Sequence, residues 1–235
     1  MKKEISRLPW RDPVTGMEFV RVPGGSFEMG CHANAGKCYS DEKPVRTARL
    51  DGFWMGKHEV TQGQWKRIMG SNPSYLKKGD NYPVENVSWN EVQQFIRRLN
   101  RQSSAKFRLP SEAQWEYACR AGGKAVTYGT GSGALNSSSA KYSTGDGTAL
   151  VGSCDPNSLG LHDMSGNVWE WVRDKFIIYG NVGTDNPIFE RYSDARVFRG
   201  GGRNGNSSKL RCSDRPRNSP SFSGGVLGFR LVRMR

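Results

Sequence analysis

Long apolar runs are missing from this chain. None of its 235 residues belongs to a stretch near the ~20 apolar side chains of a membrane-spanning helix. The N-terminal MKKEISRLPWRDPVTG has basic residues but no apolar segment behind them, so it does not read as a secretion signal. These two absences make cytoplasmic the default expectation, with surface display or export left open. Histidine is scarce: His32, His58 and His162 stand far apart in sequence with no i, i+4 pair, so no histidine-based metal site is legible. Acid is nearly absent from the end. Between Arg196 and Arg235 ten Lys/Arg face one acid, Asp214, a local charge of +9 within a formal total of +13. Such asymmetry suits either an anionic partner or a solvated basic face. Nucleic acid is the weaker candidate, because no nucleic-acid motif and no aromatic–basic interleaving is present. Cysteine is few and odd in number, at five. Cys31 and Cys38, in GCHANAGKC, either close a short disulfide or stay free thiols, and their spacing leaves both open.

What is present is aromatic and glycine-rich. Seven Trp, eight Tyr and ten Phe can build a core despite an apolar content of 35%, since each ring buries roughly 150–250 Å². Twenty-nine glycines imply a loop-rich fold. The length suits one domain better than two, and no fixed-period repeat is found. MEFVRVPGGSFEMG alternates apolar and polar residues and reads as a hairpin turning at Gly24–Gly25, and ARLDGFWMGKHEVT reads as a further strand. Thr61 and Gln64, Ser88 and Glu91, and Ser111 and Gln114 have capping-box spacing. The three helices they open carry apolar stripes at Trp65, Ile68 and Met69; at Val92, Phe95, Ile96 and Leu99; and at Trp115, Ala118 and Cys119, the last helix stopping at Gly122. Beyond Ala125 only short strand-like pieces remain: AVTYG, ALVGS, NVWEWVRD, RVFRGG and VLGFRLVR.

VPGGSFEMG, DEKPVRTARLDGFWMGKHEVTQGQW, YPVENVSWNEVQQF, FRLPSEAQWEYACRAG, GLHDMSGNVWEWVRD, RVFRGG and LGFRLV, in this order, resemble the formylglycine-generating-enzyme (sulfatase-modifying-factor) family from about Met17 to Val232. The resemblance implies an α+β fold, the formylglycine-generating-enzyme subclass of the C-type lectin fold, with a few helices around a small twisted antiparallel sheet. Residues 1–16 would be an N-terminal extension and 17–235 a single domain. Catalysts of that family oxidise a substrate cysteine with copper(I) held by two cysteines five residues apart, the soft ligands copper(I) prefers. The matching positions here are Gly205 and Leu210; Gly202 replaces a serine, and Cys212 lies two residues past the second position. Relatives that use iron take histidines from an added domain. Neither copper nor iron is therefore expected. Calcium is a candidate, held by the Asp163 and Glu170 carboxylates and the Gly166 and Val168 carbonyls, the alternative being that Glu170 only braces the turn. A second family calcium site is discounted, because Lys141 stands where an asparagine is usual. Trp169 and Trp171, two apart on a strand, read as core.

Between the RVFRGG and LGFRLV strands, residues 200–226 replace the family's catalytic rim with Arg203, Asn204, Gly205, Asn206, Lys209, Asp214, Arg217, Ser221, Phe222, Gly224 and Val226. Small polar residues with Arg and an aromatic anchor are the chemistry of a binding surface. The stretch resembles the C-terminal variable region of diversity-generating-retroelement variable proteins. Two readings follow: a displayed ligand-binding surface, or a decorative loop. The expected function is a non-catalytic, monomeric binder of a protein or cell-surface ligand, and the alternative is an oxidase acting on a peptide cysteine.

Overall fold

Two glycine corners set the path of the first strands. In this computed structural model, which describes residues 9–32, 35–136, 138–142, 147–180, 183–191 and 193–234, β1 (Trp10–Arg11), β2 (Glu18–Val22), β3 (Gly25–Met29), β4 (Arg46–Leu50) and β5 (Phe53–Gly56) precede the first helix. The expected hairpin at Gly24–Gly25 does not form. β2 pairs with β1 and β5, whereas β3 pairs with β4. The chain changes sheet at Pro23–Gly24 and again at Asp51–Gly52, and the two corners touch. A Cβ on Gly24 would sit 2.8 Å from the Gly52 nitrogen and the Leu50 oxygen, so only glycine fits. Period-2 alternation reports which face a residue takes but not which strand lies beside it. Residues 1–8 of the expected N-terminal extension lie outside the described residues. Residues 9–16 contribute β1, whose Trp10 packs on Phe19 and Phe107 at centroid distances of 5.6 and 6.1 Å.

The three helices start where their capping boxes put them: α1 (Gln62–Met69), α2 (Trp89–Gln102) and α3 (Glu112–Cys119), with both capping-box hydrogen bonds present in each. α3 departs from expectation, because all eight of its residues are buried and not only one stripe. It ends at Cys119, and the left-handed turn that follows runs through Ala121, Gly122 and Gly123. AVTYG and ALVGS form no strand.

β6 (Phe107–Arg108), β7 (Trp169–Lys175), β8 (Arg196–Arg199), β9 (Arg217–Asn218), β10 (Leu227–Gly228) and β11 (Val232–Arg233) complete three sheets. Their orders are β1-β2-β5-β11-β6, β10-β7-β8-β9 and β3-β4. All strand pairs are antiparallel except β10 on β7. The last strand lies inside its sheet, between β5 and β6. One core gathers Phe27, Met55, Trp115, Met164, Val172 and Val197 around α3, and a second gathers Trp65, Phe95, Phe107, Trp171 and Phe229 under α1 and α2. Trp169 and Trp171 do share a face: both meet Phe198 edge-on, at 5.4 and 5.2 Å.

Candidate functional site

The C-terminal region is built on buried arginines. Of the ten basic residues between Arg196 and Arg235, four are used inside the protein: Arg199, Arg211, Arg215 and Arg230 are each at most 1% exposed. Arg215 makes a two-pronged pair with Glu112 at 2.7 and 2.7 Å. Arg199 reaches Glu116 at 2.7 Å and Glu112 at 3.1 Å. Arg211 pairs with Glu42, and Arg230 holds Glu170 at 2.7 and 2.7 Å. Burial opposes the charge of Arg199 and Arg215, but Glu112 outweighs it and holds both guanidiniums above their ordinary pKa. These four of the ten basic residues are therefore not part of a solvated face or of an anion-binding tail. Four of the region's ten positive charges are neutralised internally, by acids 60 to 169 residues away in sequence.

From the end of β8 the chain turns through Gly200 and Gly201, both at positive φ. A Cβ on Gly201 would lie 2.8 Å from the Lys209 oxygen, so residues 202–209 fold back tightly on the strand end. Asn206 caps the 3-10 turn Ser207–Lys209 through its side-chain oxygen. Leu210 is fully buried, and its carbonyl accepts the Ser165 hydroxyl at 2.8 Å. Cys212 is disulfide-bonded to Cys119 at the end of α3, and Cys31 is bonded to Cys38, which settles the alternative left open at that pair. Cys154 is a buried free thiol, pushed up to about 11 mainly by burial.

These anchors frame a cavity of about 430 Å³ lined by Tyr39, Ser40, Asp41, Phe176, Ile178, Lys209, Asp214, Arg215, Pro216 and Arg217. Glu42 ties the Tyr39–Asp41 wall to Arg211, while Arg215 Nη1 donates to the Asp41 and Ile177 carbonyls at 3.0 and 2.7 Å. The Lys209 ammonium lies 4.4 Å from the Tyr39 ring centroid, and the Arg217 guanidinium 3.7 Å from that of Phe176. Burial pushes Asp214 up to about 6, against the pull of Lys209.

The eleven expected surface residues fall on three stretches of this region, with Gly205 close to Lys209 and Gly202 close to Val226. Lys209, Asp214 and Arg217 meet at the cavity, and Asp214 is buried. Arg203, Asn204, Gly205 and Asn206 belong to the folded-back loop, which the Arg203 N–H ties to the Asn167 carbonyl at 2.9 Å. Ser221, Phe222 and Gly224 lie in a stretch whose backbone is held by α2 and the turn before it: the Asn90 N–H donates to the Pro220 carbonyl at 3.1 Å and the Asn86 N–H to the Gly224 carbonyl at 3.0 Å, while the Val226 carbonyl accepts the Trp169 N–H at 2.7 Å. Sequence reasoning missed Tyr39, Asp41, Phe176 and Ile178. Only the cysteines beside Tyr39 hinted that the region is held in place.

Two histidines far apart in sequence are neighbours in space: the His58 and His162 rings are 4.8 Å apart. Burial, then His162, pushes His58 down to about 3. Among the described residues no three His, Cys, Asp or Glu side chains gather as a metal-binding group. The expected calcium residues stand at the turn into β7. Both Glu170 oxygens are occupied, by Arg230 and by the Trp115 indole N–H at 2.8 Å, while Asp163 accepts the Gly152 N–H at 2.7 Å. Glu59 lies beside them, bonded to Asn167 and to the Val168 N–H. Burial and mutual repulsion raise Glu59, and burial raises Asp163, so this pocket holds more carboxylates than its one guanidinium balances.

The fold is shared with two solved structures. Treponema denticola variable protein 1 superposes with a TM-score of 0.84 at 24% identity, covering 97% of this chain and 99% of that one. PvdO from Pseudomonas aeruginosa does so with a TM-score of 0.86 at 24% identity, covering 99% and 100%. Both likenesses concern architecture alone, an α+β fold of the C-type lectin type. Residues 6–235 match the sulfatase-modifying factor enzyme 1-like domain, and the chain belongs to that family. Its relatives include the formylglycine-generating enzymes of Mus musculus, 28% identical over 94% of this chain and 76% of that one, and of Streptomyces coelicolor, 29% identical over 91% and 88%. The serine/threonine-protein kinase Pkn1 of Chlamydia trachomatis is 30% identical over 92% of this chain, which spans only 38% of that kinase's length. Among the described residues no helix is long and apolar enough to cross a membrane.

Proposed function

We propose that this chain is a ligand-binding member of its family that has lost copper chemistry, and that residues 200–226 with the Tyr39–Asp41 wall form its holding surface. One observation carries the reading. The two positions matching the copper-binding cysteines are Gly205 and Leu210, Leu210 is packed into the interior, and the sulfur of nearby Cys212 is tied up in a disulfide. No pair of thiolates is left in that region to grip a soft cation. The fold shared with a variable protein supports a displayed surface. The identity to formylglycine-generating enzymes favours the alternative, an oxidase of peptide cysteines. The two disulfides favour an oxidising compartment over the cytoplasm.

Copper(I) titration followed by a peptide-cysteine oxidation assay separates the readings. We expect neither stoichiometric binding nor turnover. Turnover at one copper per chain would overturn the proposal.

Calcium enters this proposal as a structural ion near Asp163, Gly166, Val168 and Glu170, where it would offset the buried carboxylate excess. Saturating calcium, at about 100 times its Kd, is expected to stabilise the chelator-treated protein by about 2.7 kcal/mol. Asp163→Asn should abolish that response, and asparagine tolerates the left-handed backbone of this position (φ 58°). A thermal melt that calcium leaves unmoved would remove calcium from the account.

A further inference from the structure

We propose that the cavity between Tyr39 and Phe176 binds a small zwitterion with an apolar body, of the class of a free α-amino acid with an aliphatic or aromatic side chain. The inference rests on the reading of this region as a holding surface and names the ligand chemistry of one part of it.

Shape comes first. A volume of about 430 Å³ lies within the ~300–1,000 Å³ of small-ligand pockets. Its walls are built before any ligand arrives. Glu42 and Arg211 hold one side, Arg215 ties both sides to its floor through two carbonyls, and Arg215 itself is locked by Glu112. Preorganisation of this kind lowers the ordering cost of binding.

Charge decides the ligand class. The lining carries two acids, Asp41 and Asp214, and two cations not held by the interior, Lys209 and Arg217. They are paired loosely, Lys209 with Asp214 and Arg217 with Asp41 at 3.5 Å each, and Asp214 stands a further 3.7 Å from Arg211, which is itself held by Glu42. The interior pairs of this protein close to 2.7 Å at Glu112–Arg215 and Glu170–Arg230, the ordinary length of a charge-assisted hydrogen bond. Asp214 also has an oxygen, Oδ2, that no donor among the described residues reaches. A purely anionic ligand would meet the two acids, and a purely cationic one the two bases. A ligand bearing one charge of each sign gives each loose pair a partner, its ammonium facing the acids and its carboxylate facing Lys209 and Arg217. The space between is apolar: Tyr39, Phe176, Pro216 and Ile178, the last 73% exposed. That is where an aliphatic or aromatic side chain would rest.

Calorimetric titration of the full chain with L-phenylalanine and L-leucine tests this. Saturable one-to-one binding is expected in the millimolar range or tighter, with glycine weaker for want of a side chain. The N-acetyl and the C-amide derivatives should each bind roughly tenfold worse, the loss of one charge-assisted hydrogen bond. Arg217→Gln, at an exposed position, should weaken binding by a similar factor while leaving the thermal midpoint in place. Binding that ignores the blocked termini or the Arg217 substitution would overturn the proposal, as would no saturation at all. Either failure leaves the copper assay, and the holding surface it tests, untouched. Copper turnover beside intact amino-acid binding would remove the broader reading alone.

Discussion

Glu112→Gln is expected to destabilise the fold by about 3–5 kcal/mol, the usual cost of removing one partner from a buried ion pair. Glu112, Arg199 and Arg215 are all fully buried. Burial pushes the Glu112 pKa up, but Arg215 and Arg199 outweigh it and keep the carboxylate ionised. With glutamine in its place Arg199 still has Glu116 and the Cys212 carbonyl, whereas Arg215 falls back on the Asp41 and Ile177 carbonyls. A buried guanidinium without a counter-charge is what makes the change so destabilising. In a chain of this size the loss corresponds to a fall of roughly 6–20 °C in Tm. Combining Glu112→Gln with Arg215→Met should cost less than the sum of the two single changes, because the double variant leaves no orphaned charge at that pair. Chemical denaturation of the three variants measures this. A Glu112→Gln loss below about 1 kcal/mol would show that the network is not a structural support.

Removing the Cys119–Cys212 disulfide, as Cys119→Ala with Cys212→Ala, is expected to have the other large effect. The bridge spans a separation of 93 residues, against 7 for Cys31–Cys38. In the chain-entropy account closing the longer loop stabilises the fold by about 4.6 kcal/mol and the shorter by about 2.4 kcal/mol. The long bridge also joins α3 to the segment that carries Leu210 to Arg215, so its loss should loosen the cavity as well. Guanidinium unfolding of the two double-alanine variants gives the comparison. Equal losses, or a larger loss at Cys31–Cys38, would contradict it. A thiol count on the denatured, unreduced chain should find Cys154 alone among its five cysteines.

Local chemistry was legible from the residue string. Thr61, Ser88 and Ser111 cap their helices as their spacing requires, because a capping box is closed within four residues and needs nothing from the rest of the fold. The shared face of Trp169 and Trp171 follows from strand geometry alone. The hairpin at Gly24–Gly25 was misread because partner choice is non-local: β2 found β5, and β3 found β4. The polar residues of α3 were misread for a related reason. Glu112 and Glu116 look like the solvent side of an amphipathic helix until Arg199 and Arg215, more than 80 positions later, arrive to pair with them.

The candidate site divides in the same way. Lys209, Asp214 and Arg217 were among the residues singled out between two core strands, and the structure places all three at one cavity. That Tyr39 and Phe176 would stand opposite them was not legible, since each reads as an ordinary aromatic in its own segment. His58 and His162 were likewise invisible as neighbours across 104 positions of chain.

By itself, then, the amino-acid order determined the family, the helix starts, the aromatic cores and the residues, Gly205 and Leu210, on which the proposed loss of copper chemistry rests. All of these are carried by short-range spacing or by the identity of single residues. Only the tertiary structure decided which charges are paired inside, which cysteines join and which walls enclose the cavity. A charge or a thiol takes its meaning from its partner, and here the acids paired with Arg199, Arg211, Arg215 and Arg230 lie 60 to 169 residues away, while the longer disulfide spans 93.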